Sequence, residues 1–194
     1  MKLIEYLKLE GCPVEIPDYT RNDLPVLFKE LGFKVGAEIG VYRGHYSEIM
    51  CKGGLKLFSI DPWIVYSDYK WLRSDQDMME RCYKRAKQRL AHYDCTIIHK
   101  TSMEALKDFK DGSLDFVYID GNHGFKSVTE DIFEWSKKVK IGGIISGHDY
   151  YNDEIKKFHA DVKYVLDNYT KAAHIEKWFV LKKSNDTSWF WINV

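Results

Sequence analysis

The stretch Lys34-Val-Gly-Ala-Glu-Ile-Gly-Val-Tyr-Arg-Gly44 runs directly into His45-Tyr-Ser-Glu-Ile-Met-Cys51. Short apolar residues lead into glycines, and the residues after Gly44 favour a helix, so the stretch predicts a strand, a tight turn and a helix. Glycines at the carboxyl end of a first parallel strand commonly let the backbone approach a nucleotide-like ligand. We therefore expect a ligand site at this turn.

The spacing of the glycines argues against a phosphate-bearing ligand. Three residues separate Gly40 from Gly44, whereas a pyrophosphate-binding turn has the pattern G-x-G-x-x-G. Glu38 lies just before the turn, where its carboxylate repels phosphate and attracts an ammonium group. The turn thus favours a ligand with an amine and no phosphate, and a purely structural glycine turn is the alternative.

Composition restricts the class of protein. The 194 residues suit one domain with a single core. Lysine and arginine total 29 and are balanced by 29 acidic residues, so nothing indicates a nucleic-acid or anionic membrane surface. The four cysteines form no C-x-x-C pair, and no long apolar segment is present, which together predict a cytoplasmic protein with reduced thiols.

The order of predicted elements indicates an α/β fold with a doubly wound, mostly parallel sheet. Residues 1–33 predict a cap of two short helices, the second of which begins at the N-cap Thr20. Strands and helices then alternate through a core of residues 34–150. Residues 151–194 predict a further helix and a β-hairpin, so the whole chain is expected to be one domain.

Polar residues follow three of the predicted strands. Asp61 closes the second strand about twenty residues past the glycine turn, where an acidic residue suits the hydroxyls of a ribose. A turn aspartate before Pro62 is the alternative. Asp120 closes the fourth strand and His148-Asp149 the fifth, and in a doubly wound sheet those two ends border the same crevice.

Two kinds of catalysis are open at this crevice. Asp120, His148 and Asp149 could bind a divalent ion that polarises a substrate hydroxyl, with the imidazole shifting preference from magnesium toward manganese, iron or zinc. Without a metal, His123 or His148 could take the proton while Asp120 or Asp149 orients the imidazole. The structural alternatives are a helix-capping His123 and a turn aspartate at Asp149.

Two motifs carry a family resemblance. Glu38-Ile-Gly-Val-Tyr-Arg-Gly44 resembles motif I of class I S-adenosylmethionine-dependent methyltransferases. Asp120-Gly-Asn-His-Gly-Phe125, followed by Val128 and Asp131, resembles the D-G-x-H block of small members related to sugar and macrolide O-methyltransferases. The resemblance covers about Val35 to Tyr150 and implies a seven-stranded Rossmann-like sheet ending in a hairpin with one antiparallel strand.

The resemblance also implies a cofactor, a partner and roles for individual residues. The cofactor is S-adenosylmethionine, and the partner is a small polar acceptor such as a sugar, methylated on oxygen. Magnesium or manganese as a second cofactor, and a homo-oligomer, are left open. The implied cofactor contacts are Glu38 with the ammonium, Ser47 with the carboxylate end, Asp61 with the ribose, Ser102 and Met103 with the adenine, and Gly40, Tyr42, Gly44 and Asp120 beside the cofactor.

The aromatic segment of Trp63, Tyr66, Tyr69 and Trp71 is interpreted as a lid over the site, or as packing under a long loop. Two rival functions are also compatible with the sequence. One is an NAD-dependent oxidoreductase on a Rossmann-like sheet, and the other is a non-catalytic binding protein on the methyltransferase fold.

Overall fold

The computed structural model of the chain describes residues 1–66, 75–150, 161–183 and 187–194. Its strands are β1 (Val14–Ile16), β2 (Val35–Ile39), β3 (Lys56–Ile60), β4 (Cys95–Ile98), β5 (Leu114–Ile119), β6 (Val139–Gly147), β7 (Phe179–Leu181) and β8 (Ser188–Ile192). Its α-helices are α1 (Leu3–Tyr6), α2 (Leu24–Glu30), α3 (His45–Lys52), α4 (Gln76–Leu90), α5 (Ser102–Ala105), α6 (Phe125–Lys138) and α7 (Val162–Ala172). Short 3₁₀ helices lie at Arg21–Asp23 and Leu106–Asp108.

The described strands form one sheet in the order β1-β7-β8-β6-β5-β2-β3-β4. Neighbouring strands are parallel except at β8, which is antiparallel to both β6 and β7. The predicted α/β fold, with a mostly parallel sheet and one antiparallel strand in a final hairpin, is confirmed. Strands are added in opposite directions on the two sides of the β2–β5 pair, which leaves a crevice at the carboxyl ends of these strands.

Successive side chains of the central strands point to opposite faces of the sheet, and on both faces they are apolar. Helices therefore cover both faces. Val117 of β5 belongs to an apolar cluster with Ile132 of α6 and Leu166 of α7. Its neighbour Phe116 points to the other face, where its ring stacks on Phe28 of α2 with the centroids 4.3 Å apart. The core therefore has two halves, one on each side of the sheet.

The sheet has eight strands where the resemblance implied seven, because the sequence did not predict β1. This strand pairs in parallel with β7, with its first and last side chains buried and Glu15 exposed. It lies between Pro13 and Pro17, which predicted only a break. Three residues give too short a pattern to identify, and the partner strand is far away in the chain. The N-terminal segment therefore extends the sheet as well as contributing helices.

Parts of three predicted features lie outside the described residues. They are Tyr69 and Trp71 of the aromatic segment, Ile155 and Phe158 of the helix predicted after the fifth strand, and residues 184–186 of the predicted hairpin connection. Both strands of the hairpin are present as predicted. Among the described helices, none is long and apolar enough to cross a membrane.

Candidate functional site

A cavity of about 870 Å³ opens at the carboxyl ends of β2, β3, β5 and β6. Its volume falls in the range of roughly 300–1,000 Å³ that is common for small-molecule sites. The predicted site residues on its wall are Glu38, Gly40, Tyr42, Asp61, Ser102, Met103, Asp120, His123, His148 and Asp149. Two further predicted site residues, Gly44 and Ser47, are not part of this wall.

The two glycines of the turn make room for the protein's own chain, a role that the sequence did not predict, although Gly40 also lines the cavity. A Cβ atom on Gly40 would lie 2.1 Å from the carbonyl oxygen of Asp120. A Cβ atom on Gly44 would lie 3.2 Å from a methyl carbon of Leu90 and 3.3 Å from the Cα atom of Ala86, both on α4. Both glycines also have positive φ angles, of 91° and 73°. Gly40 thus lets the end of β5 pass close by, and Gly44 lets α4 pack against the turn.

Asp61 joins the turns that follow β2 and β3. Its Oδ2 atom accepts hydrogen bonds from the N–H groups of Val41 at 2.8 Å and Tyr42 at 2.9 Å, and its Oδ1 atom accepts one from Trp63 at 2.7 Å. Burial raises the pKa of Asp61, against the opposing effect of these N–H groups. The carboxyl group therefore orders the glycine turn while it also lines the cavity, so the turn role and the ligand role are compatible.

Glu38 is a buried acid held at the cavity wall by Ser47. Only 2% of Glu38 is exposed, and burial raises its pKa well above the usual range, although the hydrogen bond donated by Ser47 opposes this. Ser47 is fully buried and in turn accepts a hydrogen bond from Ser59 at 3.0 Å. Its hydroxyl therefore orients Glu38, and its location beneath the wall corrects the predicted direct contact of Ser47 with a cofactor carboxylate.

Ser102 connects the start of α5 to α6. Its hydroxyl donates to Asp131 and accepts a hydrogen bond from the indole N–H of Trp135 at 2.8 Å. Asp131 lies on the cavity wall with only 4% of its surface exposed. Burial raises its pKa to about 7, even though the bond from Ser102 lowers it. Met103 lines the cavity and also packs against the core, so its packing is compatible with the adenine contact that the resemblance implies.

Asp131 was not predicted as a site residue, although the D-G-x-H block contains it. Its place in that block was the signal available in the sequence, but an aspartate on an amphipathic helix is usually solvated. In the structure α6 packs against α5, and Asp131 accepts a hydrogen bond from Ser102 beside the cavity. The structure therefore adds a nearly buried acid to the wall near Ser102.

Two histidines and two aspartates gather where β5 and β6 end. The Nε2 atom of His123 lies 3.4 Å from Oδ1 of Asp120 and 3.3 Å from Oδ2 of Asp149. The Nδ1 atom of His148 lies 3.2 Å from Oδ1 of Asp149 and 3.8 Å from Oδ1 of Asp120. Burial lowers the pKa of His148, but the two acids outweigh this and the pKa is raised. All four predicted catalytic residues are thus brought together.

One ligand atom from each of Asp120, His123 and Asp149 lies within 4.8 Å of the other two, a spacing that could hold a metal ion. The sequence placed His148 in this set and considered His123, like His148, for proton transfer without a metal. The structure brings His123 into the set instead. Asp149 has a φ angle of 60°, in the left-handed region that non-glycine residues seldom adopt. This conformation accompanies a carboxylate that contacts both imidazoles.

Arg21 reaches the same group from the N-terminal segment. Its Nη1 atom donates to Oδ2 of Asp120 at 3.0 Å, and its guanidinium carbon lies 4.9 Å from the centre of the Tyr46 ring. The Tyr46 hydroxyl donates to the Arg21 carbonyl oxygen at 2.8 Å. Sequence reasoning missed Arg21, because a single arginine before the glycine turn has no motif around it and meets Asp120 only through the fold.

Trp63 packs beneath the site instead of covering it, which corrects its interpretation as a lid residue. It is 1% exposed, and its indole N–H donates to the carbonyl oxygen of Tyr42 at 2.8 Å. Its ring lies 4.8 Å from that of Tyr83 and 5.3 Å from that of His99, measured between centroids. Tyr66, three residues later, does line the cavity. The packing alternative therefore holds for Trp63.

A comparison with known protein families matches the part of the chain that forms most of the cavity wall. Residues 37–150, more than half of the chain, match a family described as "Methyltransferase domain". The structure resembles an O-methyltransferase from Bacillus cereus in complex with SAH at a TM-score of 0.64 and 13% identity, covering 91% of this chain and 83% of that one. It resembles a putative caffeoyl-CoA O-methyltransferase from Staphylococcus aureus at a TM-score of 0.63 and 18% identity, covering 93% and 86%.

A third similar structure is the O-methyltransferase TomG from Streptomyces achromogenes in complex with SAM, with a TM-score of 0.62 and 14% identity over 90% of this chain and 79% of that one. At these identities the structural likeness concerns the fold alone. By sequence, 53 residues are 34% identical to the uncharacterized protein y4gI of Sinorhizobium fredii. That match spans 27% of this chain and only 6% of the relative.

Proposed function

Because this chain belongs to the methyltransferase domain family, with the fold of class I S-adenosylmethionine-dependent methyltransferases, we propose that it methylates an oxygen of a small polar acceptor such as a sugar. The observation that carries the proposal is one cavity with two different halves. Glu38 and Asp61 lie on its wall at the ends of β2 and β3. Asp120, His123 and Asp149 lie on its wall at the ends of β5 and β6. The first pair suits a cofactor and the second group suits an acceptor.

The chemistry of the first half fits S-adenosylmethionine, which supplies a methyl group on a cationic sulfonium. Carboxyl groups suit the ligand's ammonium and its ribose hydroxyls. Glu38 is fixed by Ser47, and Asp61 is fixed by three backbone N–H groups, so neither needs to reorganise when a ligand binds. Burial raises the pKa values of Glu38 and Asp61, and a bound cation would favour their ionised forms whereas a phosphate would not. Ser102 and Met103 remain our proposed adenine contacts, with Asp131 beside them.

The second half fits a divalent metal ion. Two ligand atoms about 2.1 Å from one ion lie roughly 3.0–3.4 Å apart at octahedral or tetrahedral angles. The distances from His123 Nε2 to the carboxylate oxygens of Asp120 and Asp149, 3.4 and 3.3 Å, are close to this separation. An ion held by these three residues would polarise an acceptor hydroxyl, and the imidazole favours manganese over magnesium. His148, bonded to Asp149, orients that carboxylate.

The protein's own part in the reaction is to hold two ligands in line and to exclude water. Charge is lost when a sulfonium and an alkoxide approach one another, so a buried and preorganised site favours the reaction. Proton transfer by His123 without a metal is the competing mechanism. In that case the same two aspartates would orient the imidazole.

Two measurements test the proposal. Calorimetry should detect binding of S-adenosylhomocysteine (SAH) and no comparable binding of NAD, whereas a preference for NAD would support an oxidoreductase. Transfer of a labelled methyl group from S-adenosylmethionine should then be measured with sets of sugars, other small alcohols and amines. Labelling of hydroxyl acceptors supports the proposal. Labelling of amines alone would contradict O-methylation, and SAH binding with no turnover of any acceptor would favour a non-catalytic binding protein.

A further inference from the structure

Arg21 brings a permanent positive charge to a cavity wall that is otherwise rich in acids. It lies in the 3₁₀ helix at Arg21–Asp23, outside the residues that match the methyltransferase domain family. The roles proposed above for the cofactor and the acceptor do not use it. Its position therefore suits a ligand group of opposite charge beside Asp120, with which it already forms an ion pair at 3.0 Å.

Arg21 and Glu38 adjoin consecutive residues in the first turn of α3. The guanidinium of Arg21 lies over the ring of Tyr46, and Glu38 accepts a hydrogen bond from the next residue, Ser47. A permanent cation and an acid thus flank the amino end of the same helix, and both line the cavity. Burial raises the pKa of Glu38, and a bound ammonium would favour its ionised form. An α-amino acid, which carries an ammonium and a carboxylate on one carbon atom, needs such a pair of opposite charges.

We propose that Arg21, together with the amino end of α3, binds the carboxylate of the amino-acid part of S-adenosylmethionine, while Glu38 binds the ammonium. This inference rests on the proposed function and replaces the role that the sequence suggested for Ser47. The first N–H groups of a helix have no acceptor within the helix, and they attract anions. Asp120 accepts from Nη1 of Arg21, and Tyr118 is a second hydrogen-bond neighbour of the guanidinium. A guanidinium carries five N–H donors, so donors remain for a ligand.

Calorimetry with two ligands tests the inference. SAH has both charged groups, whereas decarboxylated SAH keeps the amine and lacks the carboxylate. The wild-type protein should bind SAH about 10- to 100-fold more tightly, which is the range expected for charge-assisted hydrogen bonds. Arg21→Met should weaken SAH binding by a similar factor and leave the affinity for the decarboxylated ligand nearly unchanged. Arg21→Lys, which keeps the charge but loses the planar fork, should give an intermediate result.

The ratio of the two affinities separates ligand binding from damage to the fold. Arg81→Met is the matched control, because Arg81 is an exposed arginine on α4, and it should leave both affinities unchanged. Equal weakening of both ligands by Arg21→Met would show an indirect effect through Asp120 or the fold and would overturn the inference. Unchanged SAH binding would overturn it as well. If the wild-type protein bound neither ligand, the proposed function itself would fail.

Discussion

The Nε2 atom of His123 lies 3.3 Å from Oδ2 of Asp149, although the two residues follow different strands of the sheet. This separation suits two ligands of one ion, and Asp120 supplies a third. We therefore expect treatment with EDTA to lower methyl transfer by about 100-fold or more. Manganese should restore the rate better than magnesium, because one ligand is an imidazole. Binding of SAH should survive chelation, since Glu38 and Asp61 lie outside this group.

Replacing His123 tests the same site as chelation does, without removing metal from the solution. His123→Gln should lower kcat by about 10²- to 10⁴-fold in either mechanism, and His92→Gln, at an exposed position on the loop after α4, should not change it. The two mechanisms differ in their response to metal. Full activity of the wild-type protein after exhaustive chelation would rule out the metal and leave His123 as the general base.

Gly40 should be the least replaceable glycine of the turn. A Cβ atom there would meet the carbonyl oxygen of Asp120 at 2.1 Å, and its φ angle of 91° is costly for any other residue. Gly40→Ala should therefore lower the free energy of unfolding by more than about 3 kcal/mol, as measured by urea denaturation. Gly54→Ala is the control, because Gly54 also has a positive φ angle, of 84°, but has no atom within 4 Å of the added Cβ. It should cost only about 1–2 kcal/mol, and equal losses would contradict the close-approach argument.

Gly40 also shows which parts of the site the sequence could predict. Strand ends were predictable from local patterns, so Asp61, Asp120 and Asp149 could be assigned to one crevice from the geometry of parallel sheets. The reason why position 40 requires a glycine was not predictable, because it depends on the backbone of Asp120 passing close to the turn.

The missed features share a physical cause. Arg21 meets Asp120 across 99 residues of chain, and β1 finds its place only by pairing with β7. Neither contact leaves a periodic pattern or a motif in the sequence. Ser47 was misassigned for a related reason, because the sequence places it on α3 but does not reveal that its side chain faces Glu38 beneath the cavity wall.

Asp131 should make stability depend on pH in the direction opposite to that of most acids. Burial raises its pKa to about 7 in the folded protein, from 3.8 for an unperturbed aspartate. Between these values the unfolded chain loses the proton while the folded protein keeps it. The free energy of unfolding therefore falls as pH rises from about 4 to about 7, by up to roughly 4 kcal/mol from this group.

Asp131→Asn removes the titrating group, so the variant should gain stability relative to the wild type as pH rises through this window. Urea denaturation at several pH values measures the difference. Asp18→Asn, at an exposed position, should follow the wild-type profile. Parallel profiles for Asp131→Asn and the wild type would show that the carboxyl group is ionised throughout the window.

Trp63 should matter for stability more than for acceptor binding. Trp63 is 1% exposed and its ring packs against Tyr83 and His99, so Trp63→Ala should cost about 3–5 kcal/mol in the free energy of unfolding. Phe133→Ala is a suitable control, because Phe133 is 52% exposed and its loss should cost less than about 1 kcal/mol.

The hydrogen bond from the Trp63 indole to Tyr42 also supports the glycine turn, so Trp63→Ala should weaken SAH binding as well. A stable Trp63→Ala protein with normal SAH affinity and a raised KM for the acceptor would instead support the lid.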